Sequence, residues 1–495
     1  MCKEKLTVVE LIKRYSMTVP DKPAIAVDGI TVTYGELYAK ISAVAEFFEK
    51  QGIRNGSHVI SVATPNLSYV VCMYAALGLG AVHIPAEKGV PAVRLCEIAD
   101  AVDADFIIAP ENPNCEATWI NPSEVCTTSE NNTSWDPVAL SDECSEIIFT
   151  TGTTGKSKGV MLSSNCFNVY MPAMQTAFNL SKESVLLVTT PLNHVGGLHR
   201  IHQCMSAGCM VVLLDGVRDL KKFFAYIYQY GVTHTYLPPA SVKLIITLAK
   251  KELAKLDGKL QFIYTASAPF PTADMETFMS LLPNTHLYQG YGSSETGSIC
   301  NCCYNAPGED IGCLGKPYPC VEVKLLDEAG NEIHEANKAG RICSKSGMNM
   351  LGYYKEPELT AAVLKDGYIY SSDLLYFDEN GKLHFAGRSD DVINVKGFKI
   401  APTEVENAAM KYPTVDECVC IPYDDRIQGR VVKIVVKPKA GYELDKKEIT
   451  EFLSTTLEQY KVPKIIEQID EIIRTVNGKI DRKKMIEKYS NINME

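Results

Sequence analysis

The sequence predicts an α/β protein: a large N-terminal domain of parallel or mixed sheets wrapped by helices, followed by a small C-terminal α+β domain. Three observations carry this. Short runs rich in Val and Ile alternate with longer amphipathic stretches, the pattern of strands joined by crossover helices. A chain of 495 residues exceeds what one core usually organises. The character of the chain also changes near residue 388, where glycines and charges crowd together in GKLHFAGRSDD.

The strand candidates, in order, are HVISVATP, ADFIIAP, SEIIFTT, VLLVTTP, CMVVLLD and THTYLPP. Between them, Tyr34 to Gln51 carries apolar residues at roughly helical spacing, and Ser241 to Lys255 reads as a second helix following Pro238-Pro239. The uncharged stretch Asn66 to Ala86 is punctuated by Gly78, Gly80 and Pro85. It reads as a buried helix, a turn and a strand, not as a membrane span. Beyond residue 388 come VINVKGFKIAPTEVENAAMKY, DECVCIPYDD, RVVKIVVKPKAG and a Lys/Glu-rich helix, an order that suits a domain of about 100 residues. The boundary falls at Ser389–Asp390, dividing the chain into residues 1–388 and 390–495.

Bulk properties narrow the function. Hydrophobic residues at 46% and charged residues at 22% fit a soluble globular protein. A formal charge of -11 argues against a nucleic-acid partner, which calls for clustered Lys and Arg. The N-terminus, MCKEKLTVVELIKRYS, lacks the apolar stretch of a secretory signal, so a cytoplasmic location is expected. Seventeen cysteines lie scattered through apolar segments, as reduced thiols do when used as small hydrophobes. Cys300, Cys302, Cys303 and Cys313 could hold a metal by spacing, but adjacent Cys302 and Cys303 aim poorly at one ion. A cysteine-rich loop is the plainer reading.

The chemistry begins at IIFTTGTTGKSKGVMLSS, residues 147–164. An apolar strand runs into Thr150, Thr151, Gly152, Thr153, Thr154, Gly155, Lys156, Ser157, Lys158 and Gly159. Glycines let backbone approach an anion, hydroxyls donate to phosphate oxygens, and the lysines add charge. A flexible polar surface loop is the bland alternative. The P-loop of classical NTPases fails as an explanation, because Thr150 stands where that motif needs its first glycine.

FTTGTTGKSKGV resembles the phosphate loop of the adenylate-forming superfamily: acyl- and aryl-CoA synthetases, adenylation domains and luciferases. Thr151 replaces the family's usual Ser and Ser157 its usual Pro. Further matches follow in order over nearly the whole chain, starting with TYGELY at Thr33. YQGYGSSETG, residues 288–297, contains Gly290, Tyr291, Gly292, Ser294 and Glu295. The resemblance implies that Tyr291 stacks on adenine, Ser294 meets the α-phosphate and Glu295 holds Mg²⁺. Ala266, Ser267 and Ala268 match the loop bordering adenine. DGYIYSSDL matches the ribose-binding motif, with Asp373 as hydroxyl acceptor, although Ser371 and Ser372 replace a Thr and a Gly. GRSDDVINVKGFKIAPTEVE implies Arg388 at the ribose and phosphate, Asp390 as hinge, and Gly397 and Lys399 along a CoA channel. RTVNGKIDRKKM places Lys479 on the catalytic lysine.

What the resemblance implies is an ATP-dependent ligase whose small domain is mobile. Acid and ATP give an acyl-adenylate and pyrophosphate; the small domain then rotates, and the thiol of CoA displaces AMP. ATP, Mg²⁺ and CoA are the implied cofactors and co-substrates. The acid pocket is expected between PLNHVGGL, residues 191–198, and segments 264–299, with His194 as gate, Gly196 and Gly197 leaving room beside it, and Ser298 on the wall. His199 and Arg200 follow, suited either to a second polar group on the substrate or to a salt bridge at a helix start. Between Glu183 and Asp215 there is no acid to hold an α-ammonium, which favours a simple carboxylic acid over an amino acid. Two other classes compete: an adenylation protein loading an acyl carrier protein, whose arm ends in the same thiol, and a non-catalytic relative, suggested by Thr151, Ser372 and Lys399.

Overall fold

The computed structural model describes residues 5–125, 135–139, 141–150, 158–268, 270–395, 398–425, 429–475 and 478–491, with Lys399 described in its backbone alone. The predicted strands form two sheets with parallel interiors. In one, Phe106–Ile108, His58–Val62, Val82–Ala86 and Cys144–Thr150 run parallel, and Lys158–Ser163 returns antiparallel to Cys144–Thr150. In the other, Met210–Leu213, Val185–Val188, His234–Tyr236, Phe262–Thr265 and His286–Ser293 are parallel, and Gly297–Cys303 closes the edge antiparallel. Helices Leu67–Gly78, Ser164–Ala177 and Val195–Ala207 pack in the space between the sheets. Parallel strands buried on both faces explain why the sequence shows continuous apolar runs there.

The uncharged run resolves into helix Leu67–Gly78, a turn and strand Val82–Ala86. The helix is apolar all round and correspondingly buried, with Asn66 capping its start by accepting the Tyr69 N–H at 2.8 Å. No described helix is long and apolar enough to cross a membrane. Helix Tyr34–Gln51 is bounded as its sequence suggests, by a Thr33/Glu36 capping box and by Gly52 at φ 97. The helix expected at 241–255 starts earlier, at Pro239, whose fixed φ suits a first turn, and breaks at Ala249 into Pro239–Leu248 and Lys250–Ala254.

A third, antiparallel sheet carries Tyr368–Phe377 paired with Leu383–Arg388, which sets Asp373 directly opposite Arg388. A short turn, Ser389–Asp391, leads to hairpin Ile393–Val395/Phe398–Ile400 and then to Val415–Asp425, Gly429–Pro438 and Ile465–Gln468, covered by helices around separate apolar cores. Arg482 grips Glu406 through two bonds of 2.7 and 3.1 Å and lies 3.5 Å from Asp391, tying that turn to the small domain. Across the junction, Lys243 of helix Pro239–Leu248 contacts Asp274 and, at 3.1 Å, Asp416 of the small domain.

The expectation of uniformly free thiols needs one correction. Thirteen described cysteines are free, but Cys96 and Cys115 form a disulfide. The pair bridges a helix and the segment after a strand, 19 residues apart, a proximity that only the folded chain creates.

Candidate functional site

The parallel strands deliver the candidate residues to one edge, at the carboxyl ends where open α/β sheets bind ligands. Thr150 ends its strand and is paired with Lys158 on the returning strand. Thr151, Gly152, Thr153, Thr154 and Gly155 lie outside the described residues, as does Gly397. Ala266, Ser267 and Ala268 follow strand Phe262–Thr265, and Ser267 adopts φ 75, a left-handed conformation that costs energy for a residue with a Cβ. Gly290 sits in the adjacent strand. A Cβ there would fall 1.7 Å from the Tyr264 hydroxyl, so only glycine permits the strand to lie against that ring.

Tyr291, Asp373 and Arg388 converge. Asp373 Oδ2 accepts from the Tyr291 hydroxyl at 2.7 Å, and Oδ1 accepts from Arg388 Nη1 at 2.9 Å. A carboxylate has about four acceptor positions, so two remain for hydroxyls of a ligand. Burial, then the Asp373 charge, raise the Tyr291 phenol well above its ordinary range, keeping it a donor. The serines that depart from the family pattern have structural work: Ser371 Oγ accepts the Asp373 N–H at 3.1 Å, and the Ser372 carbonyl accepts from Ser389 at 3.0 Å. Arg388 also reaches Asp390, at 3.3 Å, in the turn between the domains.

Glu295 occupies the tight turn joining His286–Ser293 to Gly297–Cys303, next to Ser294; the turn is closed by bonds between Ser293 and Thr296. Gly292 pairs across it with Ser298. The Tyr353 hydroxyl donates to Glu295 Oε1 at 2.9 Å, while Oε2 has no partner among the described residues. One oriented carboxylate oxygen left open suits a hard divalent cation such as Mg²⁺. The Lys158 ammonium stands 5.3 Å from the Tyr353 ring centre, bringing the phosphate-loop strand to the same corner.

Lys479 comes from the small domain. It follows Gly478, which turns at φ 77 and whose added Cβ would lie 3.4 Å from that of Ala240 in the large domain. The ammonium is open to solvent yet surrounded by protein across the cleft. Crowding by protein and then the charge of Arg388 hold it below a lysine's ordinary 10.5, while Asp373 and Glu295 pull it up. All three partners are candidate nucleotide residues.

At the acid end, His194 occupies the position just before helix Val195–Ala207, with its Nε2 3.4 Å from the Asn193 amide. The expectation that Gly196 and Gly197 both leave room is corrected. A Cβ on Gly197 would lie 2.3 Å from the Pro191 carbonyl oxygen and 2.6 Å from that of Thr190, so this glycine serves a close backbone approach. A Cβ on Gly196 would instead lie 3.4 Å from the Tyr236 ring, in ordinary contact. Ser298 is buried, beside the hydroxyls of Tyr264 and Tyr318. Lys399 lies in strand Phe398–Ile400, opposite Asn394.

Sequence reasoning missed Tyr353, Tyr236 and Tyr264. Tyr353 reaches Glu295 only because Gly352–Tyr353 pairs with Lys158–Ser163, a contact nothing local in LGYYKEP announces. Of the cysteine group, Cys302 and Cys313 gather with Glu309, their ligand atoms within 4.8 Å of one another. Lys382 already places its ammonium 2.7 Å from Glu309.

The family model for AMP-binding enzymes matches residues 12–354, and that for the AMP-binding enzyme C-terminal domain matches 404–479. A feruloyl-CoA synthase of an Amycolatopsis species is 30% identical, covering 95% of this chain and 96% of its own. A fatty acid–[acyl-carrier-protein] ligase, ScoC, of Streptomyces coeruleorubidus is 25% identical, covering 98% and 96%. ATP-bound MatB from Rhodopseudomonas palustris superposes with a TM-score of 0.88 at 22% identity, covering 97% of this chain and 99% of that one. The chain belongs to the AMP-binding enzymes, in their acyl-CoA synthetase branch.

Proposed function

We propose that this chain converts a carboxylic acid, ATP and CoA into acyl-CoA, AMP and pyrophosphate through an acyl-adenylate, with the residue roles that follow. A carboxylate acylates poorly because its oxygen leaves badly. Attack of a carboxylate oxygen on the α-phosphorus releases pyrophosphate and makes AMP the leaving group; the CoA sulfur then forms the new bond to the acyl carbon. Two anions must meet in the first step, so positioning and charge stabilisation are the main contributions. Asp373 accepts from the ribose, Tyr291 packs on the base, and Thr150 and Lys158 flank the phosphates. Lys479 offsets charge where carboxylate and α-phosphate approach. Glu295 would hold Mg²⁺, which would supply positive charge to the phosphate oxygens.

The observation that carries this reading is the meeting of Lys479 with Arg388, Asp373 and Glu295 across the domain junction. Rotation about Asp390 withdraws Lys479 and brings the Gly397–Lys399 segment toward the cleft for the thiol. The acceptor is CoA; a carrier-protein arm presents the same thiol, and ScoC motivates testing it. We place the reaction in the cytoplasm, where ATP and CoA are held and thirteen described free thiols are at home.

ATP–pyrophosphate exchange over a panel of acids tests the activity, and both thiols can then be offered to one activated acid. Lys479→Ala should abolish exchange while thioester formation from preformed acyl-adenylate persists. Equal loss of both half-reactions defeats the assignment of Lys479, and exchange with no acid defeats the function.

A further inference from the structure

Helix Val195–Ala207 runs inward from the gate residue His194, and its buried polar residues divide into two groups. His199 and His202 turn to Glu146, at 3.4 and 3.0 Å, so that this buried carboxylate is engaged by histidines. Arg200 turns elsewhere. It is 4% exposed, and its guanidinium lies among the rings of Phe178, Tyr236 and Tyr170, at 4.9, 5.7 and 5.8 Å. Nη2 bonds to the Tyr170 hydroxyl. Among the described residues, buried Nε and Nη1 have no acceptor and no carboxylate lies within ion-pair distance.

This arrangement is costly for the protein alone. Arginine stays charged at any working pH, and a buried charge without a counter-anion is among the least stable arrangements in a fold. Ring faces recover part of the loss through cation–π attraction, but they accept no N–H and carry no charge. Two of the surrounding rings also contact residues expected at the acid pocket. Tyr236 packs on Gly196, two residues past the gate, and its hydroxyl neighbours Ser267. Tyr264 stacks on Phe178 at 4.3 Å and neighbours Ser298. Arg200 lies six residues from His194, about 9 Å along the helix axis.

We propose that Arg200 is the specificity-determining residue of the acid pocket and that the substrate is a dicarboxylic acid, whose far carboxylate pairs with Arg200 while the near one is activated beside His194. The inference rests on the proposed adenylating function and names its substrate class. A neutral oxygen could accept one N–H but would leave the charge unbalanced.

The test is ATP–pyrophosphate exchange with matched pairs, straight-chain and benzene dicarboxylic acids against their monomethyl esters, using the full chain and the variants Arg200→Met and Arg200→Lys. The wild type should favour the diacid of the best pair by about 100-fold in kcat/KM, the scale on which a buried polar site rejects a ligand lacking its partner. Arg200→Met should collapse that ratio to within about threefold, and Arg200→Lys, which keeps the charge but loses the planar fork, should leave a ratio between the two, about tenfold. Monoesters used as well as diacids by the wild type overturn the proposal, as does a ratio unmoved in Arg200→Met. The wild-type ratio and the lysine variant decide the matter if the methionine variant does not fold. Exchange with a simple monocarboxylic acid but with neither member of any pair overturns the proposal, whereas exchange with no acid at all overturns the adenylating function itself, a result distinct from loss of selectivity.

Discussion

Removing the ion pair between Lys243 and Asp416 should weaken adenylation without weakening the thiol step. Lys243 lies 3.1 Å from Asp274 in its own domain and 3.1 Å from Asp416 in the small domain. On the proposed domain rotation, the pair exists only while the small domain presents Lys479 to the nucleotide site. At this separation the gross attraction is about 5 kcal/mol for an effective dielectric near 20. Solvent discounts it heavily: the Lys243 side chain is 37% exposed, and Asp416 keeps a second partner, Lys437, at 3.0 Å. A net contribution of about 1 kcal/mol follows, which corresponds to about a fivefold change in the population of this arrangement.

A double-mutant cycle of Lys243→Gln and Asp416→Asn isolates that contribution. Each variant is assayed twice, by ATP–pyrophosphate exchange and by single-turnover transfer from preformed acyl-adenylate to CoA. Asp416→Asn should slow exchange about fivefold and leave transfer equal or faster, the double variant should be little worse than either single one, and added salt should shrink the difference. Fully additive losses, or equal losses in the two half-reactions, would refute the reasoning.

Two further outcomes can be checked directly. Lys479 is held below its ordinary range by the crowding of protein around it and then by Arg388, so its positive charge is present at low pH and lost as pH rises through that lowered value; in Arg388→Gln the alkaline limb of kcat/KM for adenylation should move to higher pH, and a limb that stays put or moves down contradicts the geometry. Tyr353→Phe removes the bond that orients Glu295 at 2.9 Å, and a Mg²⁺ titration of exchange should show apparent affinity weakened by about tenfold, whereas an unchanged titration would separate Glu295 from the metal.

The parts of this molecule that could be read from its sequence are those where local chemistry is demanding. Parallel strands such as Val185–Val188 are buried on both faces and so appear as unbroken apolar runs. A phosphate-binding hairpin needs glycines and hydroxyls in series, and a turn such as the one bearing Glu295 needs small residues around it. Contacts formed by distant pieces left no such trace. Tyr353 meets Glu295 through a two-residue strand, Cys96 meets Cys115 through helix packing, and Lys243 meets Asp416 across a domain junction. Gly197 shows the converse: its position suggested space for substrate, whereas its missing Cβ accommodates the carbonyls of Thr190 and Pro191. One residue type answers two steric needs, and only the fold distinguishes them.

The two ends of the cleft differ in how their charges are balanced. At the nucleotide end the protein supplies its own partners: Arg388 lies between Asp373 and Asp390, and Glu295 leans on Tyr353. Those groups hold their geometry before a ligand arrives, so little reorganisation accompanies binding, which is where electrostatic catalysis gains most. At the acid end, Arg200 has rings around it and no counter-anion among the described residues, although Glu146, distant in sequence, comes near enough to serve His199 and His202 on the same helix. Helix geometry explains the separation. Residues 199 and 202, three apart, share the face turned to Glu146, whereas residue 200 is rotated about 100° from 199 and looks toward Phe178 and Tyr236. A site whose machinery is balanced and whose selectivity element is not will process only the ligand that completes it. The nucleotide end can therefore be common to a whole family of ligases, while the choice of acid resides in a few side chains on the inner face of one helix.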